Sequence, residues 1–278
     1  MGLYIKKSLS QWAVYLTQEP LPVLQSSLNK LAQLREDENA LSALAVSRVV
    51  LGDPMLTAHV LRYLQQHRSR HQQQEIIEVE QAIMMLGMEA FYVKVLSGLS
   101  SVEEHLLNHP EALSHLLGVL DRVQRAAEYA REWAIRLNDR HYGEVYVAAL
   151  LHDLAEAILW AFAPEPMMQI HDRQRQDKTL RSKEVQENVL GFPVRDLQRE
   201  LVNRWRLPGL LVTLMEDERS NASRVRAVTL AINLARHSGN GWDDAALPDD
   251  YSDIGALLRM PVAEVRAMLV PKKVGTVP

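Results

Sequence analysis

An all-α fold follows from three observations on this 278-residue chain. Leu, Ala, Val and Met carry most of a 47% hydrophobic content while aromatics stop at 6%, a balance that favours helices over strands. Apolar residues recur at spacings of three and four along almost every segment. Only 12 glycines and 12 prolines punctuate the chain, so breaks between periodic stretches are few and easy to place.

The elements follow in order. Leu24, Leu28 and Leu31 share one face, predicting a helix over Leu21 to Leu34. A short apolar helix from Leu41 to Val50 stops at Gly52. Asp53 and Pro54 then open the next helix as N-cap and first helical residue, with Leu56, Val60, Leu61 and Leu64 as its buried stripe. Gln65 to Glu75 has no apolar anchor and reads as a loop. Helices resume from Ile76 to Leu86, ended by Gly87, and from Ala90 to Leu99. A long helix is expected from Glu111 to Leu137. A strongly apolar one is expected from Glu144 to Phe162, stopped by Pro164 and Pro166. His171 to Asn188 is nearly all charged or amide side chains and reads as a solvated excursion holding a partly exposed helix. Shorter helices are expected at Val194–Arg204, Pro208–Glu216 and Ala222–Ala235. A polar loop from Ser238 to Asp250 precedes two small terminal helices, and the tail after Pro271 is expected to fray.

Composition also bounds function. A net charge of −4 provides no basic field for nucleic acid or anionic lipid. The absence of cysteine removes disulfides, thiolate metal sites and cysteine nucleophiles. The start lacks the apolar core of a signal peptide, and no apolar run is expected to reach the ~20 residues that cross a bilayer. The expectation is a cytoplasmic protein. No Walker A sequence, dinucleotide-binding glycine pattern or Gly-x-Ser-x-Gly elbow is present.

The adjacent pair His152 and Asp153 is the chemically suggestive feature. Neutral imidazole plus carboxylate can hold a divalent ion that activates water for phosphoester hydrolysis. Glu156, four residues after His152, falls on the same helical face and could be recruited as a third ligand. The bland alternative is a buried, hydrogen-bonded pair, with Asp153 beside a cation such as Arg122 in the place of a metal ion. A second dipeptide, His171 and Asp172, is expected to face solvent. His105 and His109 share a spacing of four but lack a further carboxylate, and His67 and His71 sit in a small basic patch expected to be solvated or to dock an acidic partner.

The motifs resemble the HDOD family, the HD-related output domain of bacterial signalling proteins. Leu21-Pro22, Asp53-Pro54-Met55-Leu56-Thr57 and Gln81-Ala82-Ile83-Met84-Met85-Leu86-Gly87 carry the N-terminal half of the likeness. Ala148-Ala149-Leu150-Leu151-His152-Asp153-Leu154 resembles its HD-like half, and Arg204-Trp205-Arg206-Leu207-Pro208 a later element. The resemblance covers roughly Leu21 to Ala235. It implies a multi-helix bundle: an N-terminal extension over 1–18, an N-lobe over about 19–105 packed on an HD-like lobe over about 106–237, and a loop with short helices over 238–278.

Against the HD pattern, Ala155-Glu156 stands where Gly-Lys usually follows. Histidines expected near Arg122 or Val123, near Val194 and around Glu218-Arg219 are missing. The resemblance therefore implies a degenerate HD domain with no catalytic residue, no metal and no cofactor, acting in signal transduction through a protein partner. No nucleic acid or membrane partner is expected. With no receiver, cyclase or phosphodiesterase domain in the sequence, input is expected through a separate protein. The alternatives are an HD-type metal-dependent phosphohydrolase centred on His152, Asp153 and Glu156, or a nucleotide sensor that does not cleave.

Overall fold

A computed structural model describes residues 7–67, 78–177, 179–216 and 222–271. The first described element is α1 (Leu9–Gln18), capped by a reciprocal Ser8–Gln11 box. Its buried face, Trp12, Ala13 and Leu16, packs on α13 (Val194–Arg204) far along the chain.

The helix expected from Leu21 begins only at Gln25, as α2 (Gln25–Glu36). The two residues just before it have backbone groups bonded to other segments. Val23 N–H donates to Ser100 O and Val23 O accepts from Val102 N–H, an isolated parallel bridge, while Leu24 N–H donates to Asp53 Oδ2. Among the described residues this bridge is the sole β-type pairing, and no strand forms.

Next come α3 (Ala43–Leu51) and α4 (Pro54–Gln66), the latter opened as expected: Asp53 Oδ1 accepts from Met55 and Leu56 N–H, with Pro54 in the first turn. Asp53 thereby ties α2, α4 and the 21–24 segment at one buried point. The loop expected at Gln65–Glu75 is helical through Gln66, and residues 68–77, including His71, lie outside the described residues.

Gly87, at φ 78°, ends α5 (Val79–Leu86) as predicted. The helix expected to Leu99 is shorter. A single turn, α6 (Met88–Ala90), runs into a π-helix over Phe91–Val95, and Gly98 at φ 76° stops the segment. Phe91, Tyr92 and Val95 are all buried in this turn, and Val95 O accepts from the His59 ring.

After the short α7 (Val102–His105), the long α8 (Pro110–Arg136) forms the spine of the second half. It packs on α9 (Tyr142–Leu150), α10 (Leu154–Phe162) and α15 (Ser223–His237). The single apolar helix expected from Glu144 to Phe162 is thus two helices broken at 151–153. By length and composition Tyr142–Phe162 does match a bilayer span, correcting the sequence expectation, but 78% of its apolar window is buried among other helices, as in a core helix.

Pro164 does not merely end α10. It opens α11 (Pro164–Gln176), where a missing N–H is harmless. The segment read as a solvated excursion is the end of α11 plus α12 (Ser182–Val189), both packed through Met167, Ile170 and Val185. The chain continues through α13, α14 (Gly209–Glu216) and α15. The polar loop is shorter than expected, because α16 (Leu247–Leu258) begins inside it, before α17 (Val262–Leu269). One continuous apolar core runs from Trp12 to Leu269.

Two polar junctions cross that core. Tyr146 donates to Leu51 O and accepts from Gln124, tying α9 to the end of α3. Arg62 donates to Leu16 O and Glu19 O at the C-terminal end of α1 and lies over the Trp205 ring at 5.2 Å. It thereby fastens α1 to α4 and α13.

Candidate functional site

The break between α9 and α10 builds the site. Leu151 N–H still bonds four residues back, but His152 N–H reaches Ala149 O and Leu154 N–H reaches Leu151 O, each only three back. The groups this frees are taken by a side chain distant in sequence. Gln198, on α13, accepts from Ala155 N–H at 2.7 Å and donates to Leu151 O at 3.0 Å. This staple turns His152 and Asp153 away from the regular spacing of a helix face and towards α8.

The Asp153 carboxylate is shared by two partners. His152 Nδ1–H donates to Oδ1 at 2.7 Å; because an ionised carboxylate only accepts, Nδ1 carries the proton. Arg122 Nη2 donates to Oδ2 at 2.9 Å and also to Glu156 Oε2 at 2.8 Å. The guanidinium of α8 therefore stands between the two carboxylates of the His152-Asp153-Leu154-Ala155-Glu156 segment, the neighbour the sequence suggested for Asp153. Arg236, from α15, approaches Asp153 Oδ2 at 3.9 Å, beyond hydrogen-bond distance.

The two acids respond in opposite directions. Burial works against the charge of Asp153, whose side chain is 9% exposed, yet the His152 hydrogen bond and the charges of His152, Arg122 and Arg236 outweigh it and hold the carboxyl well below the usual carboxylate range. Burial among the cleft walls pushes Glu156 up, and the negative charge of Asp153 adds to the rise; Arg122 and Arg236 only partly oppose it. Arg122 itself is held above its ordinary value, because the two acids overcome its own burial.

The cluster forms a wall between two cavities of about 340 and 390 Å³. Glu156, Ser182, Gln186 and Arg236 border both. Of the positions where an HD pattern places further histidines, Arg122 and Val194 face these cavities, Val123 is buried in the core, and Glu218-Arg219 lies outside the described residues. Among the described residues no group of three or more His, Cys, Asp or Glu side chains is placed to hold a metal ion.

The other histidines fall differently from expectation. His171 is part-exposed rather than fully solvent-facing: its ring lies 4.2 Å from that of His115, which stacks on Trp160 at 4.7 Å, and His171 lines the larger cavity. The charged residues around it hide an inward face, since Met167 and Ile170 precede it by four and one positions on a packed helix. His105 packs against Phe162, and His109 stands 3.8 Å from Glu165. Gln198 and Arg236 were not legible as site residues. Nothing local marks Gln198, and Arg236 falls one residue beyond the reach of the resemblance.

The HDOD domain model matches residues 21–220, and the chain belongs to that family. Among solved structures, the MmoQ response regulator from Methylococcus capsulatus strain Bath aligns with a TM-score of 0.67 at 17% identity, covering 92% of this chain and all of that one. A virulence factor from Campylobacter jejuni subsp. jejuni aligns with a TM-score of 0.64 at 18% identity, over 95% of this chain and 93% of that one. At these identities the likeness is one of fold. No curated protein sequence matches the chain.

Proposed function

We propose that this protein is a non-catalytic signal-transduction module of the bacterial cytoplasm that works through contacts with a protein partner. The observation that carries the reading is Arg122 Nη2 bridging Asp153 and Glu156. A guanidinium there supplies the positive charge and the donors that a divalent ion would otherwise provide. The donors present do not fit such an ion: both carboxylates are committed to Arg122, and α8 and α13 offer Arg and Val where further ligands are needed.

Family membership supports the signalling half of the reading, and the response-regulator name of one structural neighbour agrees with it. In this reading the N-lobe of about 19–105 and the HD-like lobe of about 106–237 form one rigid body. The partner is met on its polar outer surface, for which the exposed side of α12, with Lys183, Glu184 and Glu187, is the described candidate. Reversing those three charges is expected to abolish co-purification of a partner captured by the wild-type protein from its native cell. Unchanged capture removes this surface.

The competing reading is an HD-type metal-dependent phosphohydrolase using His152, Asp153 and Glu156. Assay of a generic phosphoester with added Mn²⁺, Mg²⁺, Ni²⁺ or Zn²⁺ separates the two. The expected result is no turnover above buffer; turnover lost in Asp153→Ala would establish the enzyme.

A further inference from the structure

The two cavities beside the charged wall are each of the size that small ligands occupy. Arg122 and Arg236 stand beside the carboxylates of Asp153 and Glu156 at their borders. Arg122 is committed to both acids, whereas Arg236 reaches Asp153 only at 3.9 Å and keeps half of its side chain exposed, at 50%.

The larger cavity has a different character on its far side. Trp160, Met167 and Ile170 give it an apolar wall, and His171 a part-exposed ring. Arg122, which borders this cavity, has a buried Nε with no hydrogen-bond partner among the described residues. Arg236 also comes from α15, outside residues 21–220 that the family model matches, so the completed cleft includes a part of this chain beyond that match.

We propose that this cleft binds a small anion bearing a flat ring, with Arg236 taking the anionic group and the Trp160–Met167–Ile170 wall taking the ring. The shared chemistry is a planar apolar ring joined to a phosphate or a carboxylate, as in a nucleoside monophosphate or an aromatic acid. Guanidinium pairs with either head group through two parallel hydrogen bonds. Glu156, bordering both cavities, opposes the anion and sets an upper limit on affinity. The inference goes beyond the reading above: a module can bind such a ligand with or without hydrolysing anything.

Titration calorimetry on the full chain tests it, with adenosine and guanosine monophosphate in one arm, indole-3-carboxylate and 4-hydroxybenzoate in a second, and inorganic phosphate in a third. Saturable binding in the first or second arm is expected, and the arm that binds identifies the head group. Arg236→Gln should weaken that binding by about tenfold or more, the scale of one charge-assisted pair. Glu156→Gln should tighten it by a few-fold, because it removes the opposing charge. The inference is overturned if no ring-bearing probe binds at about 1 mM, the weak end of measurable affinity. It is equally overturned if phosphate alone binds, or if Arg236→Gln binds as the wild type does. None of these outcomes bears on the metal content or phosphoesterase assays, so the two readings fail separately.

Discussion

Two arginines hold this fold together in contrasting ways. Arg62 is buried, with 6% exposure, and pairs with no carboxylate among the described residues: it donates to the carbonyls of Leu16 and Glu19 and lies over Trp205. Arg122 is part-buried and ends on two carboxylates at the edge of a cleft. The first neutralises the C-terminal end of a helix and closes a core. The second holds together acidic groups that would repel one another without it. A guanidinium on backbone oxygens leaves nothing for chemistry to use, whereas one between titratable acids makes a site whose state depends on pH and on other cations.

The contrast predicts a graded series of losses in urea unfolding at neutral pH. Arg122→Met should be the most harmful, at about 3–5 kcal/mol, because it leaves two acids clustered without their shared cation. Its damage should shrink as pH falls towards 5: Glu156, already raised, takes up a proton more readily once Arg122 is gone. Damage that is the same at pH 7 and pH 5 would break the comparison. Arg62→Met should remove about 3 kcal/mol at neutral pH through lost charge-assisted bonds to the two carbonyls.

His59 sharpens the account of the Arg62 junction. Its Nε2–H donates to Val95 O, and Arg62 Nη2 stands 3.5 Å from Nδ1. Burial, reinforced by the Arg62 charge and only partly opposed by the Val95 bond, lowers its pKa from 6.5 to about 4. The folded state therefore favours the neutral ring. Its stabilising contribution is complete above pH 6.5 and is lost as pH falls towards 4, where the unfolded chain binds the proton first. The loss should approach about 2 kcal/mol after allowance for partial exposure, and His59→Gln should flatten the pH dependence in that window. A wild-type curve that is flat between those values would refute the assignment.

Gln198→Ala comes next, at about 1–2 kcal/mol, since it strips the partner from Ala155 N–H and leaves Leu151 O only its bond from Leu154 N–H. Amide exchange at Ala155 should accelerate more than exchange elsewhere in α10. Arg236→Gln should change stability by less than about 0.5 kcal/mol, as expected of a half-exposed cation beyond hydrogen-bond distance. A larger loss would place Arg236 with the structural arginines rather than in the cleft.

The legible parts of the molecule were those set by local chemistry. Asp53 and Pro54 start α4 because capping and a fixed φ act within three residues, and the periodic stripe of α8 needs no information from elsewhere. Helix α2 starts four residues later than its periodicity suggests because the preceding backbone is claimed by Ser100, Val102 and Asp53. The α9–α10 break was hidden for the same reason: the sequence is apolar and helical throughout, and the staple lies 43 residues away on α13. At the site, His152, Asp153 and Glu156 were readable from spacing and Arg122 from the missing histidine. His171 departs from the solvent-facing expectation because charged neighbours outnumber the two apolar residues that turn its helix inward. Arg236 and Gln198 reach the cleft only through tertiary packing.

The central claim is that Arg122 does the work of a cation between Asp153 and Glu156. Element-specific X-ray fluorescence of the purified wild-type protein, after incubation with Mn, Fe, Ni and Zn and removal of excess, tests it most directly. The account predicts no stoichiometric metal in the wild type. About one metal ion per chain, lost in His152→Ala or Asp153→Ala, would contradict it.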